Sequence, residues 1–373
     1  VGLSEGSPEA RAVAARFALG GEPVTAVRYG SGHINDTFLV TAGNGHGGRF
    51  ILQRLNGHVF PAPEVVMANV AAVTRHVQRS LEVQDRPGRE RRVLRLVPTR
   101  EGEDSHRDEE GRRWRCYHFV ERARTHDVVR SPELAYQAAR AFGEFQRLLG
   151  DYTGPPLAET VRDFHHTERR FEAFSRTLAT DALGRAGGAA PEVAFALSRC
   201  ELARGLLRLA ECGLLPERIT HNDTKVNNVL VDEDSGEAVC VVDLDTVMPG
   251  LALYDFGDLA RTASHAAAED ETDLARVKVD PALFAALARG FLEGAGGSLN
   301  ATERSELVLA AKVLTYEQGL RFLADHLDGD RYFRIHRPDH NLQRARTQFA
   351  LLVSFEEAEP ALRRLLPAGK GGA

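Results

Sequence analysis

His221-Asn222-Asp223-Thr224-Lys225-Val226-Asn227-Asn228 runs directly into an apolar segment, Val229-Leu230-Val231. A turn-rich break follows at Glu233-Asp234-Ser235-Gly236, and then a second apolar run, Ala238 to Val242, ends on Asp243. Asp, Ser and Gly between two β-branched runs read as a loop feeding a β-hairpin. Such a hairpin folds Asp243 back beside the loop that carries Asp223 and Asn228. Two carboxylates and an amide gathered there suit phosphoryl transfer from a metal-bound nucleotide. One carboxylate orients the acceptor hydroxyl and takes its proton, while the amide and the other carboxylate hold Mg²⁺.

The spelling His-x-Asp-x-x-x-x-Asn, with Lys two places after the Asp, is that of a kinase catalytic loop. The loop resembles the kinase-like phosphotransferases, the superfamily of aminoglycoside and choline kinases. Within it, His-Asn-Asp-Thr-Lys-Val-Asn-Asn, Val-Val-Asp-Leu-Asp-Thr-Val-Met-Pro-Gly (241–250) and Tyr-Asp-Phe-Gly-Asp (254–258) are most similar to the N-acetylhexosamine 1-kinases. The resemblance extends in pieces from about Gly30 to Phe355. It implies an α+β, bilobal protein-kinase-like fold, with a small β-rich N-terminal lobe and a larger, mainly helical C-terminal lobe. ATP as co-substrate and Mg²⁺ as cofactor come with it.

The whole chain is compatible with that outline. Its 373 residues suffice for two domains, and 43% hydrophobic with 27% charged residues describes an ordinary soluble globular protein. A net charge of −6, with no Lys/Arg block, argues against a dedicated nucleic-acid binder. The patches Arg86 to Arg95 and Arg112 to Arg115 are short and interrupted, and read as solvated strand ends and turns. Cys116, Cys200, Cys212 and Cys240 show neither Cys-x-x-Cys nor metal-site spacing, so a reducing compartment is expected, with Cys116 and Cys240 as buried thiols. No signal peptide or bilayer-length apolar run is evident, and a cytoplasmic location is the expectation. A monomer and a homodimer both fit.

Outward from the loop toward the N-terminus, a helix is predicted over Pro8–Leu19 and strands over Val24–Tyr29, Thr37–Thr41 and Phe50–Leu55. Gly30-Ser31-Gly32-His33-Ile34-Asn35-Asp36 joins the first two strands. Such a glycine-rich hairpin lets backbone N–H groups approach phosphate oxygens, so Gly30, Ser31 and Gly32 are nucleotide-binding candidates. Asn35 stands where the kinase pattern has Gly, and two glycines also serve plain turn geometry. His33 is a solvent-facing loop residue on its own; the resemblance makes it a sugar contact. The third strand lacks the kinase Lys, and Arg54 is the candidate to pair phosphate in its stead, or else a surface Arg at a strand end.

A helix over Pro63–Arg79 and strands over Val93–Val97 and Arg113–Val120 complete the first lobe, with the charged segment Arg100–Gly111 expected as a mobile hairpin tip. The boundary falls at 120: residues 1–120 form the nucleotide-binding lobe, residues 121–373 the catalytic and substrate-binding lobe. Further helices are predicted over Ser131–Leu149, Pro191–Cys212, Phe284–Leu292, Thr302–Leu327 and Leu342–Glu357. The pair His165-His166 has no further ligand nearby and reads as structural.

A literal Asp-Phe-Gly stands at Asp255-Phe256-Gly257, but twenty-seven residues after Asn228; Asp243, fifteen after it, closes the hairpin and is the expected metal ligand. Asp255 and Asp258 suit a helix N-terminus. Asp245 carries no assignment. Asp223 is the expected proton acceptor and substrate-orienting group, Asn228 the second metal ligand, and His221 a brace. Lys225 is placed against the γ-phosphate, with a surface ion pair as its other reading. The resemblance also makes Arg321 and Tyr332 sugar contacts; without it they read as a surface Arg and a core Tyr. Arg261 is followed by Thr262 where that family has an aromatic, which bears on sugar identity and not on phosphoryl transfer.

The expected activity is ATP-dependent phosphorylation of the anomeric hydroxyl of an N-acetylhexosamine, GlcNAc or GalNAc, to the sugar 1-phosphate. A kinase for an aminoglycoside, another sugar or an amino alcohol is the alternative. A silent nucleotide-binding module would have lost Asp223, Asn228 or Asp243, and all are present.

Overall fold

Ser7 accepts the Ala10 N–H and starts helix α1 (Pro8–Ala14) with Pro at its first position, where no donor is lost. The computed structural model describes residues 6–30, 34–43 and 48–366. Strands β1 (Glu22–Arg28), β2 (Asp36–Gly43) and β3 (Arg49–Arg54) form an antiparallel meander. Helix α2 (Pro63–Val83) follows, then β4 (His106–Arg107) and β5 (Arg113–His118). The sheet order is β1-β2-β3-β5-β4. Alternation divides its faces: Phe38, Phe50, Leu52, Trp114 and Cys116 join Ala10, Val13 and Phe17 in one core under α1. Ile51 and Tyr117 lie against the larger core that α2 enters through Val66, Val70, Val73 and Val77.

Three expectations in this lobe are corrected. The first helix stops at Ala14, because Phe17 leaves it to bridge Thr99. Val93–Val97 forms no full ladder: Val97 N–H donates to Cys116 O (2.8 Å) and His118 N–H to Arg95 O (3.0 Å), and Pro98 then has no donor to offer. The Arg100–Gly111 segment supplies the edge strand β4 instead of a loose tip, tied down by Asp108, which accepts from Arg112 and from Trp114 Nε1 (2.8 Å).

The second lobe begins with β6 (Ala123–Arg124) and α3 (Pro132–Leu148), capped by Ser131. Next come α4 (Thr167–Thr180), α5 (Ala190–Ser198), α6 (Gly205–Glu211), β7 (Arg218–Thr220), β8 (Val229–Asp232), β9 (Ala238–Val241) and β10 (Met248–Gly250). Helices α7 (Ala252–Ala263), α8 (Pro281–Ala295), α9 (Ala301–Ser305), α10 (Leu307–Leu327) and α11 (His340–Leu365) complete it. Two predicted helices are broken. Residues 191–212 divide into α5, a tight turn at Cys200–Arg204, and α6; residues 302–327 divide at Glu306. Helix α4 was missed, although Phe171, Phe174 and Leu178 stand at helical spacing on the face that packs against α10; of its residues Thr167 and Phe174 are fully buried.

Helices α3 and α8 touch backbone to backbone. A Cβ on Gly143 would lie 2.1 Å from Phe291 O, one on Gly290 2.3 Å from Tyr136 O, and one on Gly294 2.2 Å from Arg140 O. Only glycine permits that approach. The two lobes are those of the expected α+β fold. Among the described residues, no helix is long and apolar enough to cross a membrane.

Candidate active site

The loop between β7 and β8 is held from three sides. From α7, the Asp255 carboxylate accepts the N–H of Asn222 (2.7 Å), the N–H of His221 (3.0 Å) and Gln146 Nε2 (2.6 Å), while Thr224 Oγ1 donates to its backbone carbonyl. Asp255 thus satisfies donors of the catalytic loop and not of its own helix. From the 242–246 segment, Val242 O accepts His221 Nε2 (2.9 Å) and Thr246 Oγ1 donates to His221 O (2.7 Å). His221 Nδ1 accepts the Asp223 N–H (3.3 Å), which puts the ring proton on Nε2 and leaves His221 as a brace. From the third side, the buried His165 reaches Asn222 O through Nε2 (2.7 Å) and Glu317 through Nδ1 (2.7 Å). Burial depresses this imidazole, but the Glu317 carboxylate overrides it and holds His165 above its ordinary pKa. Asn222 adopts a left-handed φ of 65°, a bend the three restraints enforce.

Within that frame Lys225 Nζ lies 2.7 Å from Asp223 Oδ1, and Asn228 Nδ2 donates to Asp223 O (2.8 Å) and Oδ2 (3.3 Å). Burial works to raise the Asp223 pKa, yet Lys225 and then His221 and Arg261 keep it below the usual carboxylate range. Asp223 in turn holds Lys225 protonated.

The hairpin forms as its sequence predicts: Val229 pairs Val241, and Val242 N–H donates to Asn228 O (2.9 Å). Asp243 therefore follows directly beside Asn228, at a left-handed φ of 60°. Its carboxylate has no hydrogen-bond partner among the described residues. Burial first, then the Asp245 and Asp223 carboxylates, push its pKa up to about 6. A crowd of acids with one member unpartnered is the electrostatic signature of a cation site. Asn228 Nδ2 is spent on Asp223, so its Oδ1 is the oxygen left for a ligand. Among the described residues no cluster of three or more His, Cys, Asp or Glu holds a metal alone. One carboxylate plus one amide, completed by phosphate oxygens, is the donor set Mg²⁺ accepts.

The nucleotide-side expectations fare differently. Gly30 sits at φ 78°, where a side chain would strain the turn. Ser31, Gly32 and His33 lie outside the described residues. Arg54 is corrected: it points away from the cleft. Its guanidinium binds Asp36 (Nε–Oδ2 2.9 Å) and Glu9 of α1 (3.8 Å) and lies over the Trp114 ring. The side-chain period of two decides this, because Gln53, one residue earlier, is the one facing the cleft. Gln53 there accepts Arg115 Nε (2.9 Å), and Arg115, 1% exposed, donates Nη1 to Asp245. The cleft-facing cation comes from β5 and not from β3.

On the acceptor side, Arg321 stands one turn beyond Glu317 on α10, with its guanidinium 5.3 Å from the Phe164 ring centroid, 5.4 Å from Phe333 and 5.9 Å from Tyr332. Tyr332 is 66% exposed, its N–H donated to Asp325 (2.8 Å). Arg321 and Tyr332 are thus neighbours at the mouth of one cleft, with Arg170 beside them. Arg261 is buried against Asp258 (Nη2–Oδ1 2.6 Å) close enough to act on Asp223 and Lys225. Asp258 and Arg261 belong to the segment that begins with Tyr-Asp-Phe-Gly-Asp, but their pairing was not read from it; Arg115 and the His165–Glu317 pair carry no motif, and a charged residue inside an apolar strand, as at Arg115, is the one signal the sequence offered.

A model of the phosphotransferase enzyme family matches residues 25–299. Solved structures of similar fold include a microcompartment-associated aminopropanol kinase, 17% identical over 96% of this chain and 98% of that one, with TM-score 0.61. A choline/ethanolamine kinase family protein from Mesorhizobium loti is 20% identical over 96% and 97%, with TM-score 0.54. An amicoumacin kinase in complex with AMP-PNP, Ca²⁺ and Ami is 13% identical over 93% and 89%, with TM-score 0.53. At these identities the likeness establishes a shared fold, while the family match covers most of the chain. The chain belongs to the phosphotransferase enzyme family.

Proposed function

We propose that this phosphotransferase moves the γ-phosphoryl group of ATP onto the anomeric hydroxyl of an N-acetylhexosamine. Residues 1–120 would hold the nucleotide and residues 121–373 the acceptor. Phe119 N–H is already donated to Arg49 O (3.0 Å) and Arg91 Nη2 to Glu121 O (2.7 Å), so the Val120 carbonyl and the Glu121 N–H are the hinge groups that would meet adenine. Asp223 orients the acceptor hydroxyl and receives its proton. Its lowered pKa suits a loose transition state, in which alignment counts for more than basicity. Lys225, protonated beside it, meets the charge that develops on the γ-phosphoryl oxygens. Asp243 and Asn228 would hold Mg²⁺, which supplies charge neutralisation between the phosphates. The AMP-PNP and Ca²⁺ bound by the amicoumacin kinase are in keeping with nucleotide and divalent-ion use here.

One observation carries the choice of acceptor. Arg170 and Arg321 line a groove with Tyr332, and the buried carboxylates near it are engaged: Asp258 by Arg261, Glu317 by His165 and Thr167, Asp325 by backbone N–H groups and Asn341. A polycationic aminoglycoside or an amino alcohol would meet two arginines there and, at the exposed rim, a single loosely paired acid, Asp328. A neutral sugar instead finds donors for its hydroxyls and acetamido carbonyl, with Tyr332 offering a ring face. Free N-acetylhexosamines, their 1-O-methyl glycosides, aminoglycosides and amino alcohols, each with ATP and Mg²⁺ and ³¹P NMR as readout, form the test. The proposal expects sugar 1-phosphate from the free sugars alone; phosphorylation of the methyl glycosides or of an amine would displace it. Asp223→Asn is expected to lose roughly 10²–10⁴ in turnover while nucleotide affinity holds.

A further inference from the structure

Three departures from the general kinase pattern are joined through Arg115. Asn35 stands where the glycine-rich turn has Gly, Gln53 occupies the cleft-facing place of the β3 Lys, and the residue two beyond Asp243 is Asp245, where the metal-binding triplet has Gly. Gln53 Oε1 accepts Arg115 Nε (2.9 Å), Arg115 Nη1 donates to Asp245 Oδ1, and Asn35 Nδ2 donates to Asp245 Oδ2 (2.6 Å). Asn35 Oδ1 in turn accepts the Asn56 N–H (3.0 Å). This run of bonds starts on the sheet, crosses the cleft to the segment that carries Asp243, and returns to the glycine-rich turn.

Each Asp245 oxygen accepts a hydrogen bond, one from Asn35 and one from Arg115. Arg115 and Asp245 are 1% and 3% exposed, and an ion pair at that depth is costly to break once formed. Protein kinases fix the same corner with a lysine on β3; here a strand-β5 arginine and an acid from the far lobe occupy it.

We propose that Asp245 is a positioning residue for the nucleotide: by holding Asn35 and Arg115 together it ties the described end of the glycine-rich turn, at Asn35, to the segment that carries Asp243 before ATP arrives. An anchor point at Asn35 fixed in advance leaves less to order on binding, so the clasp acts on ATP affinity. The inference rests on the phosphotransferase reading of the cleft and is independent of which acceptor is used.

The test is titration of Mg²⁺·ATP without acceptor, alongside KM for ATP and for the acceptor, in wild type, Asn35→Gly, Asn35→Asp and the exchange variant Asn35→Asp/Asp245→Asn. Loss of one amide–carboxylate bond in Asn35→Gly should weaken ATP about tenfold, leaving acceptor KM within about twofold. Asn35→Asp, which sets two carboxylates face to face, should be weaker still. The exchange variant restores an amide opposite a carboxylate and should recover part of that loss. ATP affinity unchanged in Asn35→Gly, or no recovery in a folded exchange variant, would overturn the clasp; if the exchange variant unfolds on thermal scanning, Asn35→Gly decides alone. Wild-type protein that binds no ATP would overturn the nucleotide reading as well.

Discussion

Asp243→Asn and Asp255→Asn are the same chemical change at two aspartates a dozen positions apart, and their environments predict opposite outcomes. Asp255 accepts three donors, the N–H groups of His221 and Asn222 and Gln146 Nε2. An amide there keeps one oxygen for Asn222 and turns an NH₂ toward the other two. Gln146 can rotate its own amide, since its Oε1 has no partner, but the His221 N–H cannot move and is left buried and unpaired. The expected loss is about 2–4 kcal/mol, from a total stability of order 5–15 kcal/mol. Asp243 has no donor to lose. Its pKa of about 6 lies above the ordinary 3.8, so the fold favours the protonated form: that contribution is fully present below 3.8 and is lost as pH rises through 6. At pH 7.5 the wild type therefore carries a charge penalty that the amide lacks, on the order of 1–3 kcal/mol. Thermal unfolding at pH 7.5 with chelator should show Asp255→Asn several degrees less stable and Asp243→Asn equal to or more stable than wild type, the gain vanishing near pH 4. Addition of Mg²⁺·ATP should stabilise wild type and Asp255→Asn but not Asp243→Asn, which loses turnover. Loss of stability in Asp243→Asn, or Mg²⁺ dependence abolished by Asp255→Asn in a folded protein, would refute the assignment.

With the same pKa of about 6, Asp243 is about one-tenth ionised at pH 5 and about nine-tenths at pH 7, so divalent-ion affinity measured by titration should rise roughly tenfold between them, with proton release. Arg54→Ala should leave KM for ATP within about twofold of wild type, because its partners Asp36 and Glu9 lie on the α1 face; a tenfold rise would return Arg54 to the nucleotide site. Gly143→Ala forces a methyl into the Phe291 carbonyl and should cost about 1–3 kcal/mol or more in a denaturant titration, with the m-value unchanged.

What the sequence revealed and concealed follows from range. The hairpin over 229–242 and the Ser131 cap rest on neighbours a few residues apart, and both are readable from spacing and turn chemistry. Arg54 was misplaced by a single step of strand parity: Gln53 and Arg54 differ only in which face they take, and register is set by partners on β2 and β5. Arg115 and Asp245 meet 130 positions apart, and His165 and Glu317 152 apart, so no local pattern announces either pair. Val93–Val97 has strand composition, yet Pro98 ends its pairing; α4 has a stripe of only three apolar residues, Phe171, Phe174 and Leu178, set among charged neighbours.

The seam of Gly143, Gly290 and Gly294 reaches further than its own two helices. Main chain resting on main chain leaves no rotamer to yield, and the same α3 carries Gln146, which grips Asp255 and through it the catalytic loop. That half of the molecule is in effect an anvil, and a methyl placed anywhere on the seam is felt at the catalytic loop through Gln146 and Asp255.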